Sequence, residues 1–308
     1  MIMRYGWVSQ YPQVFLSMTG LRVSEFDGLV DDVLPAYAAA EAARLARPDR
    51  ARAIGAGHPF ELSLRDQVLL TVVWLRVYPT HEVLGYLFGV SDSTVSRLIQ
   101  RVLPVLEQAG RDTMRMPDPG KKRRRTLDVL LQETPELVVV IDTFEQRVQR
   151  PRDKDEADGL YSGKKKQHTL KSQVAVDEET GQVVDIADSV PGPKADLTTL
   201  DESQLMNRLP EGVGGIGDSA YQGIAQLHPQ GLGASPRKKP RGQPRPPEDT
   251  AFNTAFSRRR IIVENTIGRL RRYQSITQTD RNHRQIHTSR VAAIAGLVNR
   301  QMAHRMPA

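Results

Sequence analysis

Residues 137–143, LVVVIDT, place five apolar residues in a row ahead of an acid and a threonine. A strand with one wet face alternates apolar and polar residues, so a continuous run reads as a strand covered on both faces. Downstream, LKSQVAV and QVVDIADSV flank DEETG, the pattern of a β-hairpin with Gly181 in its turn. ADLTTLDESQLMNRL reads as a helix capped by Asp196, and GVGGIGDSAY holds another short strand. SPRKKPRGQPRPPED is a basic, proline-rich loop, RRRIIVENTIGRLRR (258–272) one helix, and VAAIAGLVNRQM an amphipathic one. The order strand, hairpin strands, helix, strand, helix predicts a mixed α/β layer arrangement.

The chain before this region has a different period. Residues 21–46 carry apolar residues at helical spacing, and after the break GAGHPFE at 55–61 the segment LSLRDQVLLTVVWLRVYP suits a buried helix. In THEVLGYLFGVSDSTVSRLIQRVLPVLEQ, Thr80 caps a short helix ending near Phe88, Gly89 supplies a turn and Ser91 caps a second helix. Two short helices around a tight glycine turn form the helix-turn-helix pattern, whose second helix enters the DNA major groove. Ser93, Thr94, Ser96 and Arg97 would then meet base edges, Gln100 and Arg101 would lie nearer the phosphates, and Val95, Leu98 and Ile99 would face inward. The segment MPDPGKKRRRT (116–126), with five consecutive cations, reads as an interdomain linker able to touch phosphate or as a solvated charge run.

Charge placement agrees with a polyanion partner. Residues 1–120 hold 12 Lys and Arg against 13 Asp and Glu, so the whole excess behind the net charge of +7 lies further on. The chain of 308 residues has no cysteine, which removes disulfide frameworks, thiolate zinc sites and cysteine nucleophiles. No run approaches the ~18 apolar residues of a membrane helix, and MIMRYGWVSQYPQ lacks the pattern of a signal peptide. An intracellular soluble protein is expected.

Asp142 ends the first buried strand, and Asp218 follows the strand in GGIGDS. If these strands are neighbours, two carboxylates converge and need a cation between them. Magnesium fits, because it takes one or two carboxylates and completes its octahedron with water and phosphate oxygens. A third acid from an adjacent helix would hold a second ion, and Glu264 is the candidate. At helical spacing Arg260, Glu264, Gly268 and Arg271 form one stripe. In this reading Glu264 holds metal, the arginines hold DNA phosphate and Gly268 admits a close backbone. An Arg260–Glu264 ion pair on a solvated face is the plainer alternative.

These blocks, with YPQVFLSMTGL, LRVYPTHEVLGYLFGVSDSTVSR, VIDTFEQRVQRP, YSGKKKQHTLKSQ, GDSAYQG, PRKKPRG and AGLVNR, resemble the DDE transposases of the bacterial insertion sequence five group, related to PIF/Harbinger nucleases. The resemblance runs over nearly the whole chain. It implies an α/β, ribonuclease-H-like catalytic domain (a mixed sheet flanked by helices) at 135–308. An all-α helix-turn-helix region precedes it, divided into an N-terminal helical part at 1–60 and a DNA-binding domain at 61–115, with a basic linker at 116–134. It further implies that Asp142, Asp218 and Glu264 are the catalytic triad and ligate two Mg²⁺ ions, for which Mn²⁺ can substitute. Of the family's Tyr-Arg-Glu-Lys signature, Arg260 and Glu264 stand at the expected spacing, Ser257 takes the tyrosine place and Arg271 the lysine place; the histidine usual before Asp196 is Ala195. The implied reaction is hydrolysis at the transposon ends and joining of the 3′ hydroxyls to target DNA. The implied partners are double-stranded DNA, as terminal inverted repeats and target, and a second copy of the chain, in a homodimer or larger assembly.

Charge placement makes Lys164, Lys165 and Lys166, and Lys238, Lys239 and Arg241, DNA-backbone contacts. His168 is read as a polar surface residue and Trp74 as core, while Tyr221 could stack on a base. Two rival readings remain: an inactive or domesticated transposase-derived DNA-binding regulator, and an aspartyl phosphatase suggested by the Asp-Thr pair of VVVIDTF, where Phe144 occupies the place of the second aspartate.

Overall fold

A computed structural model describes residues 3–46, 61–121 and 126–303. Most of the break at 55–61, and residues 122–125 of the five-cation run, fall outside the described residues. The chain forms two compact units: residues 1–112 with 272–275 and 292–308, and residues 113–271 with 276–291. No helix among the described residues is long and apolar enough to cross a membrane.

The first unit is helical. Helices α1 (Tyr5–Val8), α2 (Pro12–Thr19), α3 (Val23–Leu45) and α4 (Leu64–Val77) surround a core in which Phe15, Phe26 and Trp74 are fully buried. Trp74 is core, as its apolar surroundings in the sequence require. Helices α5 (His81–Phe88) and α6 (Asp92–Arg111) form the predicted pair. The Thr80 hydroxyl accepts from the Val83 N–H, Gly89 adopts a left-handed φ of 66°, and the Ser91 hydroxyl accepts from the Thr94 N–H at 3.1 Å. Each device satisfies an orphan helix-end group or turns the chain where a Cβ would clash. The segment read as an amphipathic C-terminal helix belongs to α11 (His287–Ala303), in which Val291 to Asn299 are all buried, so it has no wet face there. A Cβ on Gly296 would come within 2.2 Å of the Gly110 Cα, which makes both glycines conditions of close helix packing.

The second unit is built on one mixed sheet. After β1 (Leu137–Arg147) come α7 (Lys154–Leu160), β2 (Tyr161–Ser162), β3 (Gln167–Asp177), β4 (Val183–Ile186), β5 (Val190–Pro191), α8 (Asp196–Ser203), α9 (Leu205–Arg208), β6 (Val213–Ile216), β7 (Gly233–Ala234) and α10 (Pro247–Leu270). The strand order is β2-β3-β1-β6-β7, with β4 and β5 also on β3. β1 runs antiparallel to β3 and parallel to β6. Leu137 to Ile141 are at most 5 % exposed, as a strand covered on both faces requires. Leu137, Val139 and Ile141 pack against Leu200, Leu205 and Met206 of α8 and α9. The alternate residues face α10, where Thr266 donates to the Gly181 carbonyl at 2.8 Å. Gly181 has a φ of 71°, the left-handed turn expected of the β3–β4 hairpin.

Three local readings are corrected. Asp196 does not cap its helix: Ala195 is the N-cap, Asp196 is the first helical residue and its side chain turns elsewhere. That helix also breaks at Gln204, whose left-handed φ of 54° separates α8 from α9. The helix read at 258–272 begins at Pro247 and ends at Leu270. Proline suits a first helical position because its missing N–H would have no partner there, and Glu248 and Asp249 complement the helix dipole.

Candidate active site

Parallel pairing of β1 with β6 couples Val140 with Ile216 last. Asp142 and Asp218 each lie two residues further on, side by side just past the carboxyl end of β6, where open sheets gather ligands; Asp142 does not end its own strand, as the sequence pattern suggests, because β1 runs on to Arg147 against β3. The Asp142 Oδ1 accepts the N–H of Thr143 at 2.7 Å, and the Asp218 Oδ1 accepts the N–H of Ala220 at 2.8 Å, which caps a short turn at Ser219–Tyr221.

Glu264 comes from the middle of α10. With Ile267, Gly268 and Arg271 it lines a cleft of about 600 Å³, whose other walls include Asp142, Thr143, Glu145, Lys164, Lys165, Lys171, Lys194 and Asp196. Arg260, one turn before Glu264, stands between the acids: its Nη2 is 3.6 Å from the Asp142 Oδ2 and 4.0 Å from the Glu264 Oε1. Its Nε is buried with no hydrogen-bond partner among the described residues. The plain helix-surface pair is therefore only part of the arrangement, since the same guanidinium faces an aspartate of β1. Glu264 itself is 61 % exposed.

Burial pushes the Asp142 carboxyl up to about 6; Asp218 and Asp196 add to the rise, while the Thr143 N–H and Arg260 oppose it. The Tyr221 phenol, buried beneath the site, is raised further still by burial, then by Asp196, Asp142 and Asp218. Its hydroxyl has no hydrogen-bond partner among the described residues. A Cβ on Gly217 would lie 2.4 Å from its ring, so that glycine admits the tyrosine. Full burial excludes Tyr221 from stacking on a base.

Among the described residues no group of three or more His, Cys, Asp or Glu side chains stands close enough to hold a metal ion. The donor chemistry nonetheless suits a hard divalent cation. Two carboxylates leave adjacent strands, one of them desolvated, with only a distant guanidinium opposite. Like charges without an ion between them have no reason to close up.

The remaining expected contacts separate by location. In α6, Ser93, Arg97 and Gln100 are exposed and Thr94, Ser96 and Arg101 half-buried, while Val95, Leu98 and Ile99 are buried as expected. Lys164 and Lys165 line the cleft; Lys166 is exposed at a left-handed φ of 52°. Lys238, Lys239 and Arg241 are exposed on the loop before α10, outside the cleft lining. His168 packs edge-on against Tyr161. Sequence reasoning missed Thr143, Lys171 and Asp196 as cleft residues, because their meeting depends on partners 25 and 53 positions apart.

Residues 141–299 match the family described as DDE superfamily endonuclease, and residues 60–112 match the helix-turn-helix of DDE superfamily endonuclease. Over 289 residues, 94 % of each chain, the protein is 28 % identical to the probable transposase for insertion sequence element IS702 of Microchaete diplosiphon. No solved structure matches it. Two acids side by side beyond the parallel pairing of a mixed sheet, a helix-turn-helix pair and a family match over half the sequence agree, and the chain belongs to the DDE superfamily endonucleases.

Proposed function

We propose that the protein is a DNA transposase that binds the terminal inverted repeats of an insertion sequence, hydrolyses phosphodiesters at the element ends and joins the 3′ hydroxyls to target DNA. The observation that carries this reading is the placement of Asp142 and Asp218 at corresponding positions, two residues past the last couple of the parallel pair, with Glu264 on the same cleft as Asp142 and Arg260 between the two.

In this reading Asp142, Asp218 and Glu264 hold two Mg²⁺ ions. When bound, such ions neutralise charge on the phosphoryl group and acidify the attacking water. The chain's own residues do the rest by positioning and charge. Arg260 and Arg271 face phosphate oxygens, Lys164 and Lys165 draw the strand into the cleft, and Lys166, Lys238, Lys239 and Arg241 track the backbone outside it. Ser93, Thr94, Ser96 and Arg97 read bases of the repeat, with Gln100 and Arg101 on its phosphates. Joining two ends in one event calls for at least a dimer.

The test is incubation with DNA bearing the element's own ends. Cleavage is expected with Mg²⁺ and not with Ca²⁺, and loss of cleavage in Asp142→Asn, Asp218→Asn and Glu264→Gln. Undiminished nicking by any of these variants overturns the assignment. Specific binding without cleavage by the unaltered chain would favour the regulator instead.

A further inference from the structure

We propose that Thr143 and Asp196, with Lys171 behind them, form a positioning relay that fixes the Asp142 carboxylate; this rests on the reading of Asp142 as a metal ligand.

The need for such a relay follows from the sheet. As far as Val140, β1 has a neighbour on each edge, but beyond that couple β6 has ended and β1 continues with β3 alone. Asp142 and Thr143 therefore sit on a strand segment held from one side. The Thr143 side chain points to the face opposite Asp142 and donates to the Asp196 Oδ1 at 3.1 Å. That oxygen also accepts from the Lys171 Nζ at 2.6 Å, and the same ammonium donates to the Lys194 carbonyl. Lys171 is on β3, Asp196 opens α8, and both side chains are largely buried. Thr143 is thereby tied to one further element, α8, and through Lys171 a second time to β3.

The consequence reaches Asp142 through the backbone. The Thr143 N–H occupies the Asp142 Oδ1, which turns Oδ2 toward Arg260 and the cleft. Moving Thr143 moves both the strand segment and the donor that selects the carboxylate's orientation. Asp196 lines the same cleft, but Lys171 already neutralises it, which suits an anchor better than an ion ligand. Outer partners of a ligand typically influence metal affinity or activity by about 10- to 100-fold.

The experiment measures Mn²⁺ binding to the full chain without DNA, by the electron paramagnetic resonance signal of free Mn²⁺, with thermal midpoints recorded in parallel. Thr143→Val keeps the β-branched shape and loses only the hydroxyl. It is expected to weaken Mn²⁺ binding about tenfold with little change of midpoint, and Thr143→Ser to restore it. Asp196→Asn should weaken binding to a similar degree, and the double variant should bind no worse than Asp196→Asn alone, since both changes cut one relay. Should Asp196→Asn fail to fold, the Thr143 pair decides alone. Unchanged binding in Thr143→Val, while Asp142→Asn loses it, overturns the relay. So do additive losses in the double variant, or a loss in Asp196→Asn as complete as in Asp142→Asn, which would make Asp196 a ligand. Unchanged binding in Asp142→Asn would instead overturn the metal reading beneath the proposal.

Discussion

Arg260 and Asp142 face each other at 3.6 Å, an ion pair too long for a hydrogen bond and left open on the guanidinium side at Nε. The two residues should act on a DNA strand in opposite directions. In metal-free buffer, Asp142→Asn removes an anion beside the phosphate path and is expected to tighten end-DNA binding a few-fold at low salt. Arg260→Ala is expected to weaken it about equally for any sequence and to reduce the salt slope by about one. Fluorescence anisotropy across a salt series reads both, and equal signs would contradict the site.

Gly268 should separate the needs of the free protein from those of the complex. A Cβ there meets nothing within 4 Å, so the protein's own packing does not require glycine. Gly268→Ala is expected to stabilise the free chain by up to about 1 kcal/mol, because alanine loses less backbone entropy in a helix. Cleavage should nonetheless slow, since the added methyl projects from a wall of the cleft. Urea unfolding and end cleavage on the same sample test the split.

The neighbouring Arg259 has a purely structural task. Only 6 % exposed, it donates to both carboxylate oxygens of Glu178 at 2.7 and 2.6 Å, to the Thr134 hydroxyl and to the carbonyls of Pro135 and Glu136. It fastens α10 to the β3–β4 turn and to the entry of β1. Arg259→Met strands a largely buried carboxylate and several acceptors, so a loss of about 3 kcal/mol is expected in urea unfolding. Adding Glu178→Gln should recover part of it.

His287 gives a pH signature to folding. Its Nδ1 lies 2.7 Å from the Ser189 hydroxyl and its Nε2 lies 2.8 Å from the Gln146 Oε1. The Gln146 amide nitrogen already donates to the Gln278 carbonyl, so Oε1 must accept, and the ring proton sits on Nε2. Burial, then Arg290, holds the ring down to about 3, with Asp280 opposing. The unfolded ring takes a proton near 6.5 and the folded one does not, so the neutral ring's stability is complete above 6.5 and is lost as pH falls toward 3. Up to about 1.4 kcal/mol per pH unit is expected from this group, and His287→Gln should flatten the curve by that amount in denaturation between pH 6.5 and 4.

How far the sequence could be read depended on the range of the interactions. Thr80, Gly89 and Ser91 act on their own neighbours, and each does in the structure what its chemistry suggests. Asp142 and Asp218 were visible as acids following apolar strand runs, but Asp142 lies inside β1, which continues to Arg147, and the adjacency of the two needed the parallel pairing of β1 with β6, which no local pattern contains. Asp196 stands where an N-cap is common, and only Thr143 and Lys171, distant along the chain, reveal that its carboxylate turns away. The early start of α10 was obscured by prolines that read as loop, although a proline followed by two acids is also how helices begin.

Side-by-side strands that run the same way cannot be joined by a tight turn, so the chain between Asp142 and Asp218 must travel out over the sheet and return. The stretches of that excursion that hold no anchor of the site, the bend at Gln204 among them, can lengthen or shorten in evolution while the spacing of the two acids stays set by the backbone ladder beneath them. Chemistry in this fold is thereby insulated from drift in its connecting segments.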